Sequence, residues 1–142
     1  MSVLRLYKSE KLCSTLEIEN LYARGTSIIA YPLRAVWLEV PRDDWRHPVA
    51  ARFLVSIPKK RIRHAVDRVL LRRRTREAYR LNRRELLTDI LQQHGIGVDI
   101  AFVYLDSTPA PYAVISDKVT LLLSRIAQAA SKPQPPRQEN EK

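Results

Sequence analysis

The chain has a single cysteine, three glycines and no long apolar run, and each scarcity excludes something. Cys13 has no partner for an internal disulfide, and no cysteine pair exists to build a zinc site, which fits a reducing compartment. Cys13 is expected as a small buried residue. Three glycines are too few for a phosphate-cradling loop. No apolar stretch approaches the ~18–20 residues of a membrane-spanning helix. The N-terminal MSVLRLYKSEK has no apolar core or small-residue cleavage site, so no signal peptide is expected. Together these predict a cytoplasmic protein with no membrane contact. His47, His64 and His94 stand apart, without the Asp, Glu or Cys spacing of a metal site, although His64 sits inside a basic segment. Asp43-Asp44 lies in a proline-bounded stretch and reads as a turn. Ser14 and Ser56 lack a neighbouring base, so nucleophilic catalysis is unsupported. The chain offers no catalytic residue and no metal ligand of its own.

The most informative scarcity is of acidic charge in one stretch. From Lys59 to Arg84 the sequence reads KKRIRHAVDRVLLRRRTREAYRLNRR: twelve of 26 residues are Lys or Arg, opposed only by Asp67 and Glu77, a net of 12 − 2 = +10. The whole chain is also +10, so everything else cancels. A charge of one sign gathered into one segment calls for a polyanion, and nucleic acid is the first candidate. A solvated basic helix is the plainer reading, but solvated helices usually mix signs.

That stretch has no Gly or Pro and is rich in good helix formers. It predicts a helix from about Ile62 to Leu81, after a boundary at Pro58. Arg68, Arg72, Arg76 and Arg80 recur every four residues as one ridge, with Arg73 beside it and Leu71, Thr75 and Ala78 opposite as the packing face. Like charges at this spacing repel by ~0.2–0.5 kcal/mol per pair, which bound phosphates would relieve. Lys59, Lys60, Arg61 and Arg63 extend the candidate nucleic-acid-binding set.

Around this helix the pattern predicts an α+β domain over residues 1–131, in which one small, mostly antiparallel sheet is packed by helices as a two-layer α/β sandwich. Ser14-Thr15-Leu16-Glu17 is a capping box that opens a helix to about Arg24, with Gly25 expected to close it in left-handed geometry. Residues 26–40 read as strand broken at Pro32. After the loop Pro41–Pro48, Ala50–Ile57 reads as a strand with Phe53, Val55 and Ile57 on one face, antiparallel to the preceding strand. Glu85–Gln93 is a further helical pattern closed by Gly95. Val98–Leu105 is a central strand. A last helix begins at Ser116 or Asp117, with Val119, Leu122, Leu123 and Ile126 facing the core. Residues 132–142 are polar and proline-rich and read as a disordered tail.

Lys59-Lys60, Ala65-Val66, Arg68, Arg72-Arg73, Arg76-Glu77 and Tyr79-Arg80 resemble the signature of the bacterial ribonuclease P protein component, roughly AVxRNRxKRxxREx[FY]R. The resemblance extends to Ile18, Tyr22 and Gly25 upstream and to the strand and helix after residue 97, covering most of residues 8–130. Val69 and Leu70 stand where the family has Asn and a second Arg. Arg74 stands where it is usually apolar, and Ile18 replaces an aromatic. The resemblance implies a left-handed β-α-β crossover, where right-handed is the rule. It implies a protein subunit of a ribonucleoprotein endoribonuclease that binds the catalytic RNA and the 5′ leader of precursor tRNA. In such an assembly the RNA, with divalent metal (Mg2+) held mainly by it, carries the chemistry. Ile18, Tyr22, Trp37 and Phe53 are then the expected lining of a leader cleft between the first helix and the sheet, with Tyr22, Trp37 and Phe53 as aromatic platforms beside positive charge. The implied partners are ribonuclease P RNA and precursor tRNA, with no small-molecule cofactor, and the free protein is expected as a monomer or weak dimer. The alternative from another class is a structural RNA-binding protein of ribosomal type with no catalytic assembly.

Overall fold

The computed structural model of the chain describes residues 6, 8–40 and 50–131. The loop Pro41–Pro48 and the tail 132–142 lie outside the described residues. The elements follow one another as a 3₁₀ turn at Lys8–Glu10, helix α1 (Thr15–Arg24), strands β1 (Thr26–Ala30), β2 (Leu33–Val40) and β3 (Ala51–Ser56), helix α2 (Ala65–Arg83), a π-helical turn (Arg84–Thr88), helix α3 (Asp89–His94), strand β4 (Gly97–Tyr104) and helix α4 (Tyr112–Ser131).

The four strands form one mixed sheet in the order β1-β2-β4-β3. The antiparallel hairpin is β1–β2, closed through Tyr31 and a cis Pro32. The expected hairpin between β2 and β3 does not form. β4 inserts between them, antiparallel to β2 and parallel to β3. The reason is burial: β4 is buried along almost its whole length, and only the middle of the sheet covers both faces of a strand. The parallel β3–β4 pair makes β3-α2-β4 the crossover unit on which the implied left hand falls.

Alternation along the strands sorts side chains onto two faces. Leu33, Ala35 and Trp37 of β2, Phe53 of β3 and Ile100, Phe102 and Tyr104 of β4 point to the main core, with Leu71, Ala78 and Tyr79 of α2 and Ile115, Val119, Leu122, Leu123 and Ile126 of α4. Phe53 stacks on Tyr79 with ring centroids 4.2 Å apart, and Phe102 meets the same ring edge-on at 5.9 Å. Val36 and Ala101 point the other way, to a smaller cluster with Leu12 and Leu21. Helices α2 and α4 therefore cover one face of the sheet, and α1 covers part of the other.

Several boundaries move for local reasons. Ile62 is buried, and its N–H and that of Arg61 donate to the Pro58 carbonyl, so residues 58–62 form their own turn. His64 is extended, and α2 starts only at Ala65. Past Leu81 the helical run continues to His94, because the π turn returns Leu87 and Leu91 to the core. α4 begins at Tyr112, directly after Pro111, whose carbonyl accepts from Val114 and Ile115, and it buries Ile115. Gly95 takes the left-handed conformation, φ 68°. Gly25 does not: its φ is −74°. It is required by space instead, since a Cβ there would lie 2.5 Å from the Leu21 carbonyl oxygen and 2.8 Å from Val36 Cγ1. Cys13, expected inside, is exposed.

Candidate nucleic-acid interface

Helix α2 packs through Leu71, Thr75, Ala78 and Tyr79, all fully buried. Thr75 also satisfies its hydroxyl by donating to the Leu71 carbonyl at 2.8 Å. The opposite face is basic. A spacing of four residues advances ~40° around a helix of 3.6 residues per turn, so the arginine ridge is not straight relative to the core. It starts beside the core at Arg68 and turns outward by Arg76 and Arg80.

The four arginines consequently differ. Arg68 is half-buried and donates to the carbonyls of Ile62 and Arg63, each at 2.9 Å; it braces the turn that leads into α2. Arg80 is held by Glu77 through bonds of 3.0 and 2.7 Å. Hydrogen bonding from Arg80 holds the Glu77 carboxyl below its ordinary value. Arg72 and Arg76, with Arg73, are exposed and make no hydrogen bond or ion pair among the described residues. Lys59, Lys60, Arg61 and Arg63 are exposed on the turn before the helix. Among the described residues of this stretch, the exposed and unbonded charge is thus concentrated on the middle of α2 and on its lead-in. Arg74 points elsewhere and donates to the Ala110 carbonyl ahead of α4.

On the other side of the sheet, α1 is set at a defined height. Ser14 caps it by accepting from the Glu17 N–H at 3.4 Å. Glu17 does not complete a capping box. Its carboxylate is drawn to Arg52 of β3, 2.9 Å away, and Arg52 also donates two 3.0 Å bonds to Asp99 of β4. Burial would lower the Arg52 pKa, but Glu17 and Asp99 outweigh it and raise it. This network ties α1 to the two neighbouring strands.

Between α1 and the uncovered part of the sheet, the strand register aligns Ile29, Arg34, Val103 and Ser56 in one row across all four strands. Tyr22 of α1 borders it, 42% exposed. Burial pushes the Tyr22 phenol up, against the opposing pull of the Arg34 guanidinium. Arg34 Nε is buried without a hydrogen-bond partner. Ile18 packs at the edge of the smaller cluster.

Two expected members of this cleft are elsewhere. Trp37 and Phe53 are only 7% and 4% exposed and belong to the main core on the opposite face of the sheet. They cannot line a cleft beside α1. Both are aromatic, but their register places them under α2 and α4. Arg34, Ile29, Val103 and Ser56 were not anticipated. Period-two alternation held the signal, since Leu33, Ala35 and Trp37 are one set and Arg34 belongs to the other.

Among the described residues no three of His, Cys, Asp and Glu gather as a metal-binding group, and no helix is long and apolar enough to cross a membrane.

A family profile for ribonuclease P matches residues 6–127. The chain is 39% identical over 123 residues to a ribonuclease P protein component of Porphyromonas gingivalis strain W83, covering 86% of each. In fold it is similar to the RNase P protein from Thermotoga maritima, with a TM-score of 0.64 at 17% identity over 82% of this chain and 96% of the other. A Staphylococcus aureus RNase P protein mutant gives the same TM-score at 15% identity, over 85% of this chain and 90% of that one.

Proposed function

The chain belongs to the ribonuclease P protein family, and from that premise we propose that it is the RNA-binding subunit of an endoribonuclease whose RNA performs the cut. The exposed, unpaired positive charge of Arg72, Arg73 and Arg76 with the Lys59–Arg63 turn holds the catalytic RNA. The cleft bordered by Tyr22 and floored by Ile29, Arg34, Val103 and Ser56 takes the single-stranded 5′ leader of precursor tRNA. The two surfaces use opposite faces of the sheet, so one small protein can touch both RNAs at once.

The observation that carries this reading is the one-sided sign of α2. Three neighbouring arginines are left exposed and unpaired, while Arg68, Arg74, Arg80 and Arg83 of the same helix are each tied to the chain itself. A fold that can pair its arginines, yet leaves these three open, favours an external polyanion. The cleft side chains bind and orient the leader. Divalent metal, held mainly by the RNA, would supply the activated water and stabilise the phosphoryl transfer. The assembly acts in the cytoplasm on precursor tRNA, and the free protein is a monomer or weak dimer.

The test is reconstitution. Added to a bacterial ribonuclease P RNA at low magnesium, the protein should stimulate removal of the 5′ leader. RNA binding without stimulation would favour the alternative, a structural RNA-binding protein.

A further inference from the structure

The first two turns of α2 carry a face that the arginines do not account for. Val66 is 78% exposed and Val69 49%, although Leu71 and Ala78 of the same helix are fully buried. With Ala65, Leu70 and Arg73 they line a shallow groove of about 390 Å³, within the ~300–1,000 Å³ of sites that accept small ligands. At ~100° per residue, Val66 and Val69 fall in the same outward sector as Arg73, Arg76 and Arg80. The groove therefore continues the basic face of the helix. Solvent-facing valines add little to folding, and leucine or lysine would favour the helix more.

We propose that this groove receives an unstacked nucleobase of the RNA that α2 grips; the proposal rests on the reading of α2 as an RNA face. Charge decides the occupant. Arg73 lines the groove, and Arg72 and Arg76 of the same helix and Lys59, Lys60 and Arg63 of its lead-in are all exposed. A helix of one charge sign repels a second copy of itself and attracts a polyanion. The flat apolar surfaces that an RNA polyanion carries are its bases, and bases splayed from loops and bulges are what proteins bind on RNA. The aliphatic floor of Val66, Val69 and Leu70 would cover one face of such a base, and Arg73 at the rim would stack on it or hold its phosphate. Contact of this kind tolerates any base, because every base has a π face.

The test uses the full chain carrying Val66→Thr and Val69→Thr. Thr matches Val in size and in helix propensity, and circular dichroism with thermal melting checks the fold. Binding to a bacterial ribonuclease P RNA is measured over a salt series, together with dimethyl sulfate reactivity of the RNA bases. The expected result is affinity lower by roughly three- to ten-fold at every salt concentration. The log–log salt slope should not change, and at least one base shielded by the original protein should become reactive. Unchanged affinity, a changed slope, or lost affinity with no change in base reactivity would each overturn the inference while leaving α2 as the RNA face. Sedimentation that finds a dimer in the original protein and none in the variant would assign the groove to a second copy, and would also overturn it. Failure of the original protein to bind RNA in a salt-dependent way would instead remove the functional reading, and the groove's occupant with it.

Discussion

Twelve basic residues crowd the stretch from Lys59 to Arg84, and they fall into two physical classes. Arg83 belongs wholly to the interior. Its guanidinium reaches Glu10 at 2.6 and 3.1 Å and the Arg80 carbonyl at 2.6 Å, with both side chains almost fully buried. Removing one member leaves the other charge buried, at a cost of about 3–5 kcal/mol, a large share of the ~5–15 kcal/mol that holds a domain together. Arg83→Ala should therefore lower the denaturation midpoint sharply, while Arg83→Met combined with Glu10→Leu should recover most of the loss; equal midpoints for the two variants would deny the pairing any role. Arg72 and Arg76 belong to the other class. Arg72→Ala or Arg76→Ala should leave the melting temperature nearly unchanged and flatten the log–log salt slope of RNA binding by about 0.7–0.9 for each lost phosphate contact. Arg68→Ala should act mainly on stability, because its bonds go to Ile62 and Arg63. A slope change from Arg68→Ala as large as that from Arg72→Ala would contradict this division.

At the scale of elements, the cleft depends on how α1 is seated. Gly25 lets the end of α1 approach the β2 backbone, and the atoms that a Cβ would meet include a main-chain carbonyl that cannot swing away. Gly25→Ala should destabilise by roughly 1–3 kcal/mol, read as a drop in the urea midpoint. Glu17 ties the first turn of α1 to Arg52. Its carboxylate is partly exposed, so Glu17→Gln should cost no more than about 1 kcal/mol in stability. Its clearer effect should be functional: binding to the catalytic RNA unchanged, and a weaker preference for leader-bearing over mature tRNA. Equal loss on both RNAs would separate α1 from leader recognition. The outer face of α2 combines unpaired arginines with exposed valines, and only the arginines announce themselves in composition.

For the molecule as a whole, the net charge is +10, and much of the exposed positive charge lies on Arg72, Arg73 and Arg76 of one helix and on its lead-in at Lys59, Lys60, Arg61 and Arg63. Association with RNA should be fast and should weaken steeply with salt. Raising salt from ~50 to ~200 mM should cost more than an order of magnitude in affinity if several phosphates are contacted; a salt-independent affinity would mean that the arginine face is not the contact. Alternate residues of β2 and β4 pack against α2 on one face of the sheet and against α1 on the other. On the proposed reading, substitutions on α2 and substitutions beside α1 should therefore weaken catalytic-RNA binding and leader recognition separately.

Local sequence by itself determined the basic helix, its buried face of Leu71, Thr75 and Ala78, the break at Pro32, the Gly95 cap and the central position of β4. Each depends on neighbours within one turn or on burial along one strand. The tertiary structure alone decided which strand lies beside which, because pairing joins residues far apart in the chain, such as Phe53 with Ile100. It also decided which face of the sheet each alternate residue meets, and so removed Trp37 and Phe53 from the cleft and put Arg34 there. It likewise separated bonded arginines from open ones, since Glu10 lies 73 residues from Arg83 and no periodicity connects them.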